Sequence, residues 1–172
     1  DAEGLLEYWA GSKENFEFPS KVRGEYKTDT DLFELVKAKT QALHIAFSPN
    51  GRIMALWAVD RKIRICNFQT GKRMKVIDES IENYTEQQQK TQQLSSMEFG
   101  RRLALEKELE KSPAKSFINL VFDETGNFLA YATALGIKIV NLVTNRVVRQ
   151  LGSQENVRFL RLAFFQGGGS DA

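Results

Sequence analysis

Between residues 43 and 78 apolar and polar positions change places in short runs. "LHIAF" (43–47) is apolar and stops at "SPNG" (48–51), where proline and Asn-Gly supply turn chemistry. "RIMALWA" (52–58) is mostly apolar, as expected of a strand buried on both faces. "VDR" (59–61) turns the chain. "KIRICNF" (62–68) then alternates, with Ile63, Ile65 and Asn67 on one side, the two-residue period of a half-buried strand. "QTG" (69–71) turns again, and "KRMKVI" (72–77) is a fourth run. The pattern predicts a four-stranded antiparallel meander of about 36 residues.

The pattern recurs at 118–151, "INLVFDETGNFLAYATALGIKIVNLVTNRVVRQL". Phe122 matches Phe47, "DETG" matches "SPNG", "NFLAYAT" matches "RIMALWA", "IKIVNL" matches "IRICNF" and "VTN" matches "QTG". A third copy begins at "RLAFFQGG" (161–168), where Phe164 matches Phe122. "DAEGLLEYW" (1–9) resembles the end of a unit, with Asp1 on Asp60 and Trp9 on Phe68. Phe122 to Phe164 is 42 residues. Four-stranded repeats of roughly 40–45 residues are the signature of WD40 propeller blades. The expected fold is therefore all-β, a partial WD40 β-propeller with about two complete blades and parts of two more. A blade end (1–9) and an insert (10–42) precede a blade (43–78). A helical insert (79–112), a blade (116–151), the start of another (158–166) and a flexible tail (167–172) follow.

Phe47 to Phe122 is 75 residues, about 33 more than one repeat, and the excess falls at 79–112. Within it "MEFGRRLALEKELEK" (97–111) reads as a helix. Ser95 and Glu98 offer a capping box, Pro113 stops the run, and Phe99, Leu103, Leu105 and Leu109 share about half of the helical wheel. This helix either packs on its own propeller or docks a partner through Phe99, Arg101, Arg102, Leu105 and Leu109. In the insert 10–42, Asp29 or Thr30 can cap a short helix through Leu32, Phe33 and Val36. "TDTD" (28–31) lacks the glycine and distal glutamate of a calcium loop, so no calcium is expected there.

Composition narrows the chemistry. Lys+Arg is 24 and Asp+Glu 22, a net charge of +2, too balanced to imply nucleic acid by electrostatics alone. One cysteine and one histidine exclude an internal disulfide and a zinc site built from Cys and His, and a Ser-His-Asp triad would have to use His44. A lone cysteine fits a reducing compartment, cytosol or nucleus. No apolar run approaches a membrane span, the opening residues do not read as a signal peptide, and a start at Asp1 without methionine suggests a fragment or processed piece. Asp60, in the turn between second and third strands, is expected to stiffen that turn. His44 is expected to be a packed histidine and Cys66 a small, partly buried hydrophobe. Lys62, Arg64, Lys72, Arg73 and Lys75 form a candidate basic surface for acidic or RNA ligands, against the plainer role of a solvated blade edge. "FGRR" (99–102) is not a phosphate loop, and no cofactor or metal is expected.

The ordered set "EYKTDTDL", "FSPNG", "DRKIRI", "TGK", "MEFGRR", "FDETGNF", "LGIKIVN" and "QENVR" resembles the cyclophilin-type peptidylprolyl isomerases with WD repeats, from about Gly4 to Gln166. "GGGSDA" departs from the family. The resemblance implies a nuclear, spliceosome-associated parent with WD repeats first and a cyclophilin domain after them. On it, the chain is expected to be the WD-repeat part alone, a platform binding spliceosomal proteins, with the isomerase domain and its catalytic residues outside these residues. RNA contact is not favoured, and no membrane contact is expected. The alternative is a WD40 scaffold of another nuclear or RNA-processing complex with no isomerase activity.

Overall fold

The computed structural model describes residues 3–20, 22, 26 and 28–167. A short helix, α1 (Glu34–Lys37), leads into four strands: β1 (Ala42–Phe47), β2 (Ile53–Ala58), β3 (Lys62–Asn67) and β4 (Arg73–Asp78). Two helices follow, α2 (Ile81–Thr91) and α3 (Ser96–Lys111), then a 3-10 turn at Pro113–Phe117. Four more strands complete the order: β5 (Leu120–Phe122), β6 (Phe128–Thr133), β7 (Gly136–Asn141) and β8 (Arg146–Leu151). Each set of four forms one antiparallel sheet in sequence order.

The repeated turns are built alike. After β1, the Ser48 hydroxyl accepts from the Ile53 amide at 2.9 Å, and Gly51 takes φ +67°. After β5, the Asp123 carboxylate accepts from the Phe128 amide at 2.8 Å, and Gly126 takes φ +71°. A left-handed residue closes both loops, which glycine permits without a Cβ clash. After β3 and β7 the side chains of Asn67 and Asn141 accept from Thr70 and Thr144, an Asx turn in each case.

The apolar run of β2 is explained by cover on both sides. Ala55, Trp57, Ile63 and Ile65 face the second sheet and meet Ile118, Leu120, Leu129 and Tyr131. Met54, Leu56 and Cys66 face the other way and are covered by Leu6 and Phe68. Burying a side chain of this size contributes about 1.5–3 kcal/mol.

The expected fold needs correction. Among the described residues the chain forms two four-stranded sheets that close neither a propeller ring nor a barrel, with β5 against β1 and β2 and no further sheet. A repeat spacing near 42 residues selects a meander but does not fix how meanders are arranged around an axis. The expected partial blades form no strands among the described residues of 1–9 and 158–166. At Gly4 φ is +83°, and a Cβ there would lie 2.2 Å from the Thr40 carbonyl oxygen, so the segment crosses tightly rather than extending into a ladder. At 158–166 the Asn119 side chain takes the place of a partner strand: it donates to the Leu162 carbonyl (2.9 Å) and accepts from the Leu162 amide (2.8 Å). Of the expected flexible tail, 168–172 lies outside the described residues, as do residues 1 and 2.

Candidate functional site

Two features stand out: a buried ionic seam that fixes α3, and an open aromatic cavity. Ser95 caps α3, its hydroxyl accepting from the Glu98 amide at 3.2 Å. The Glu98 carboxylate turns instead to Arg101 and Arg102, and these two guanidiniums hold its pKa down to about 2. The buried residues of α3 are Arg102, Glu106 and Leu109, spaced four and then three apart. Arg102 donates to the carbonyls of Ala134 (3.0 Å), Ser153 (2.7 Å) and Glu155 (3.2 Å), so it fastens the helix to the second sheet. Glu106 accepts from Arg61, in the turn before β3, and from Arg158, beyond β8. Arg61 also donates to the Glu79 carbonyl at 3.2 Å. The Glu79 carboxylate accepts from Lys138 at 2.9 Å and Tyr131 at 2.8 Å. Burial, with Glu79 adjacent, pushes the Tyr131 phenol far above its ordinary value, which keeps it a donor.

Apart from one buried Arg158 guanidinium nitrogen without a partner among the described residues, these groups are satisfied within the chain, so the seam reads as structural. It places the anticipated helix residues as follows. Arg102 and Leu109 are buried against the sheets, Phe99 is half-buried, and Arg101 and Leu105 face outward. Arg101 also reaches Asn156 at 2.7 Å.

The residues of the anticipated basic surface are dispersed among acids. Arg64 is buried and clasped by Asp60 (2.6 Å) and Glu34 (3.1 Å). Arg73 pairs with Glu34 at 2.6 Å and Lys62 with Asp78 at 3.1 Å. Lys72 donates to the Thr28 carbonyl at 3.0 Å, and Lys75 to the Asn145 side chain at 2.7 Å. Asp60 sits in its turn with its Oδ1 accepting from the Lys62 amide at 3.2 Å. His44 bridges the sheets: its Nδ1 accepts from the Leu120 amide at 3.2 Å. Burial, aided by nearby Arg161, lowers its pKa below 6.5, so the imidazole is neutral at pH 7. Cys66 is buried, which pushes its thiol up to about 12.

The aromatic cavity was not anticipated as a site. It is open, about 420 Å³, and its walls include Leu6, Tyr8, Trp9, Phe18, Leu32 and Phe33. Tyr8 stacks on Phe18 at 6.4 Å and tilts onto Phe68 at 5.0 Å. Trp9 is 69% exposed, yet its indole Nε1 donates to Glu7 at 3.4 Å. The Tyr8 hydroxyl is buried without a hydrogen-bond partner among the described residues, and burial raises its pKa to about 12, so it remains a donor. The signal available in the sequence was aromatic density: Tyr8, Trp9, Phe16, Phe18, Tyr26 and Phe33 fall within one short stretch. Among the described residues no cluster of His, Cys, Asp and Glu is arranged to hold a metal, and no helix is long and apolar enough to cross a membrane.

The relatives to which this chain is similar are named for one activity, peptidyl-prolyl cis–trans isomerisation. In particular, the chain is 54% identical over 167 residues to the peptidylprolyl isomerase domain and WD repeat-containing protein 1 of Homo sapiens, a match covering 97% of this chain and 26% of that protein. It is 45% identical over 172 residues to peptidyl-prolyl cis-trans isomerase CYP71 of Arabidopsis thaliana, covering 97% of this chain and 27% of that protein. It is 30% identical over 182 residues to peptidyl-prolyl cis-trans isomerase 9 of Schizosaccharomyces pombe, covering 96% of this chain and 29% of that protein. The chain therefore spans less than a third of the length of these curated relatives. No protein-family model matches it.

These matches correct the expected function. Each of these relatives is named for peptidyl-prolyl isomerisation. The expectation of a WD40 platform from which the isomerase is excluded is overturned by those names, together with the absence of a closed propeller. The first name joins an isomerase domain and WD repeats, and the match marks no boundary between them. The assignment of the chain to the WD-repeat part alone is withdrawn for that reason.

Proposed function

We propose that this chain serves a peptidyl-prolyl cis–trans isomerase and that X-Pro peptides are its class of ligand. The observation that carries the reading is identity along 97% of the chain to proteins named for that activity in an animal and a plant. The aromatic cavity is compatible with such a ligand. A pyrrolidine ring packs well on the faces of Tyr, Trp and Phe, the chemistry by which aromatic grooves take proline-containing segments.

The reaction rotates one amide bond and needs no redox partner. X-Pro exchange without a catalyst takes tens to hundreds of seconds. Each tenfold acceleration requires about 1.4 kcal/mol of preferential binding to the twisted amide. Exchange spectroscopy of a proline peptide by NMR tests the proposal. With catalytic amounts of the chain, cis–trans exchange is expected to quicken, and Trp9→Ala, which removes an exposed wall of the cavity, to slow it again. Acceleration by a longer product of the gene but not by these residues would place the chemistry elsewhere and overturn the assignment to this chain.

A nuclear location and spliceosomal protein partners are further proposals that rest on the family resemblance. Imaging of the tagged protein and co-purification with splicing proteins test them; a cytoplasmic distribution with no such partners would refute both.

A further inference from the structure

The second sheet ends in a strand whose outer edge is free. Among the described residues β8 pairs with β7 alone, so its far side carries unpaired backbone donors and acceptors. All six of its residues are exposed, Val147, Val148 and Leu151 among them. The corresponding strand of the first sheet differs: four of the six residues of β4 are partly covered, and its Arg73 and Lys75 are engaged by Glu34 and Asn145. On β8, Arg146 and Arg149 form no ion pair among the described residues.

The charge pattern of β8 selects among possible strands. The ladder to β7 shifts at Val148, with Arg149 opposite Ile139 and Val147 opposite Val140. Two β8 strands pairing antiparallel about Val147 and Val148 would set Arg146 against Arg149 twice, and like charges directly opposite destabilise a sheet. The same two arginines favour a strand of opposite charge. We propose that the free edge of β8 accepts, as a fifth strand, an extended segment of a partner protein in which Asp or Glu alternates with aliphatic residues. Backbone hydrogen bonds supply the affinity, carboxylates meet Arg146 and Arg149 on one face of the sheet, and the aliphatic side chains cover Val147 on the other.

Fluorescence anisotropy of a short labelled peptide that alternates valine and glutamate tests this surface. Saturable binding is expected, weakened about ten-fold by Arg146→Glu with Arg149→Glu. That exposed double variant is expected to fold normally, checked by circular dichroism, and to prefer the lysine counterpart of the peptide. Proline at alternate positions of the peptide, which removes ladder donors, is expected to abolish binding. Binding that is absent, or unchanged by the charge reversal, overturns the proposal. So does tighter binding of a polyuridine oligonucleotide by the same arginines, or self-association of the chain through β8 in sedimentation.

Discussion

Glu106 is the anion of the ionic seam, and replacing it by alanine is the sharpest test of how α3 is held. Its side chain is 2% exposed, and those of Arg61 and Arg158 are 9% and 13% exposed. Glu106→Ala leaves two guanidiniums largely out of water without their shared carboxylate. Breaking a buried pair in this way costs about 3–5 kcal/mol, because the stranded charge keeps its desolvation penalty. A domain of this size is stable by about 5–15 kcal/mol, so the variant should remain folded but be much weakened. Urea unfolding followed through Trp57, which is buried against the second sheet, provides the assay. With a slope of about 2 kcal/mol/M, the midpoint should fall by about 2 M at an unchanged slope. Glu110 is the internal control: it lies 3.7 Å from Arg61 and is 46% exposed, so Glu110→Ala should cost less than about 1 kcal/mol. The triple change Arg61→Met, Glu106→Leu, Arg158→Met should recover most of the loss, since an apolar replacement removes the desolvation cost with the charges. A loss below about 1 kcal/mol for Glu106→Ala, equal to that of Glu110→Ala, would refute the seam as the anchor of α3.

Three further outcomes follow from the same structure. The lowered pKa of His44 means that the unfolded chain takes up the proton first, so stability should decline as pH falls below 6.5 and level off once the folded imidazole is protonated. His44→Gln should flatten that part of the pH profile; an unchanged slope between pH 6.5 and 5 would contradict it. Asp123 accepts from the Thr125 hydroxyl and from the amides of Thr125 and Phe128, and its lowered pKa reflects those bonds, the hydroxyl's first, prevailing over burial. Asp123→Ala should cost about 1–3 kcal/mol in a thermal or urea melt, and a neutral result would remove the loop from the list of anchors. The Cys66 thiol, raised to about 12 by burial, should resist thiol reagents at pH 8 until urea unfolds the chain; rapid labelling of native protein would show that the sheet opens locally.

The sequence alone determined the local elements. The runs of β1 to β4 and their counterparts are legible because alternation and turn chemistry are properties of adjacent residues, and Ser48, Asp123, Asn67 and Asn141 act within five residues of themselves. The helix at 96–111 was legible for the same reason, with its serine cap before it and a proline after it. Its buried face was not. The apolar residues Leu103 and Leu105 suggested one face, yet Arg102 and Glu106 are the residues turned inward. The partners of Glu106, Arg61 and Arg158, lie 45 and 52 residues away in the chain, and no periodicity encodes a contact at that distance. The cover of Met54, Leu56 and Cys66 by Leu6 is likewise long-range, as is the gathering of Tyr8, Phe18 and Phe33 around one cavity. Tertiary structure also decided how the two meanders are arranged. Spacing fixes the size of a sheet, whereas closure depends on which faces and edges find partners across the molecule.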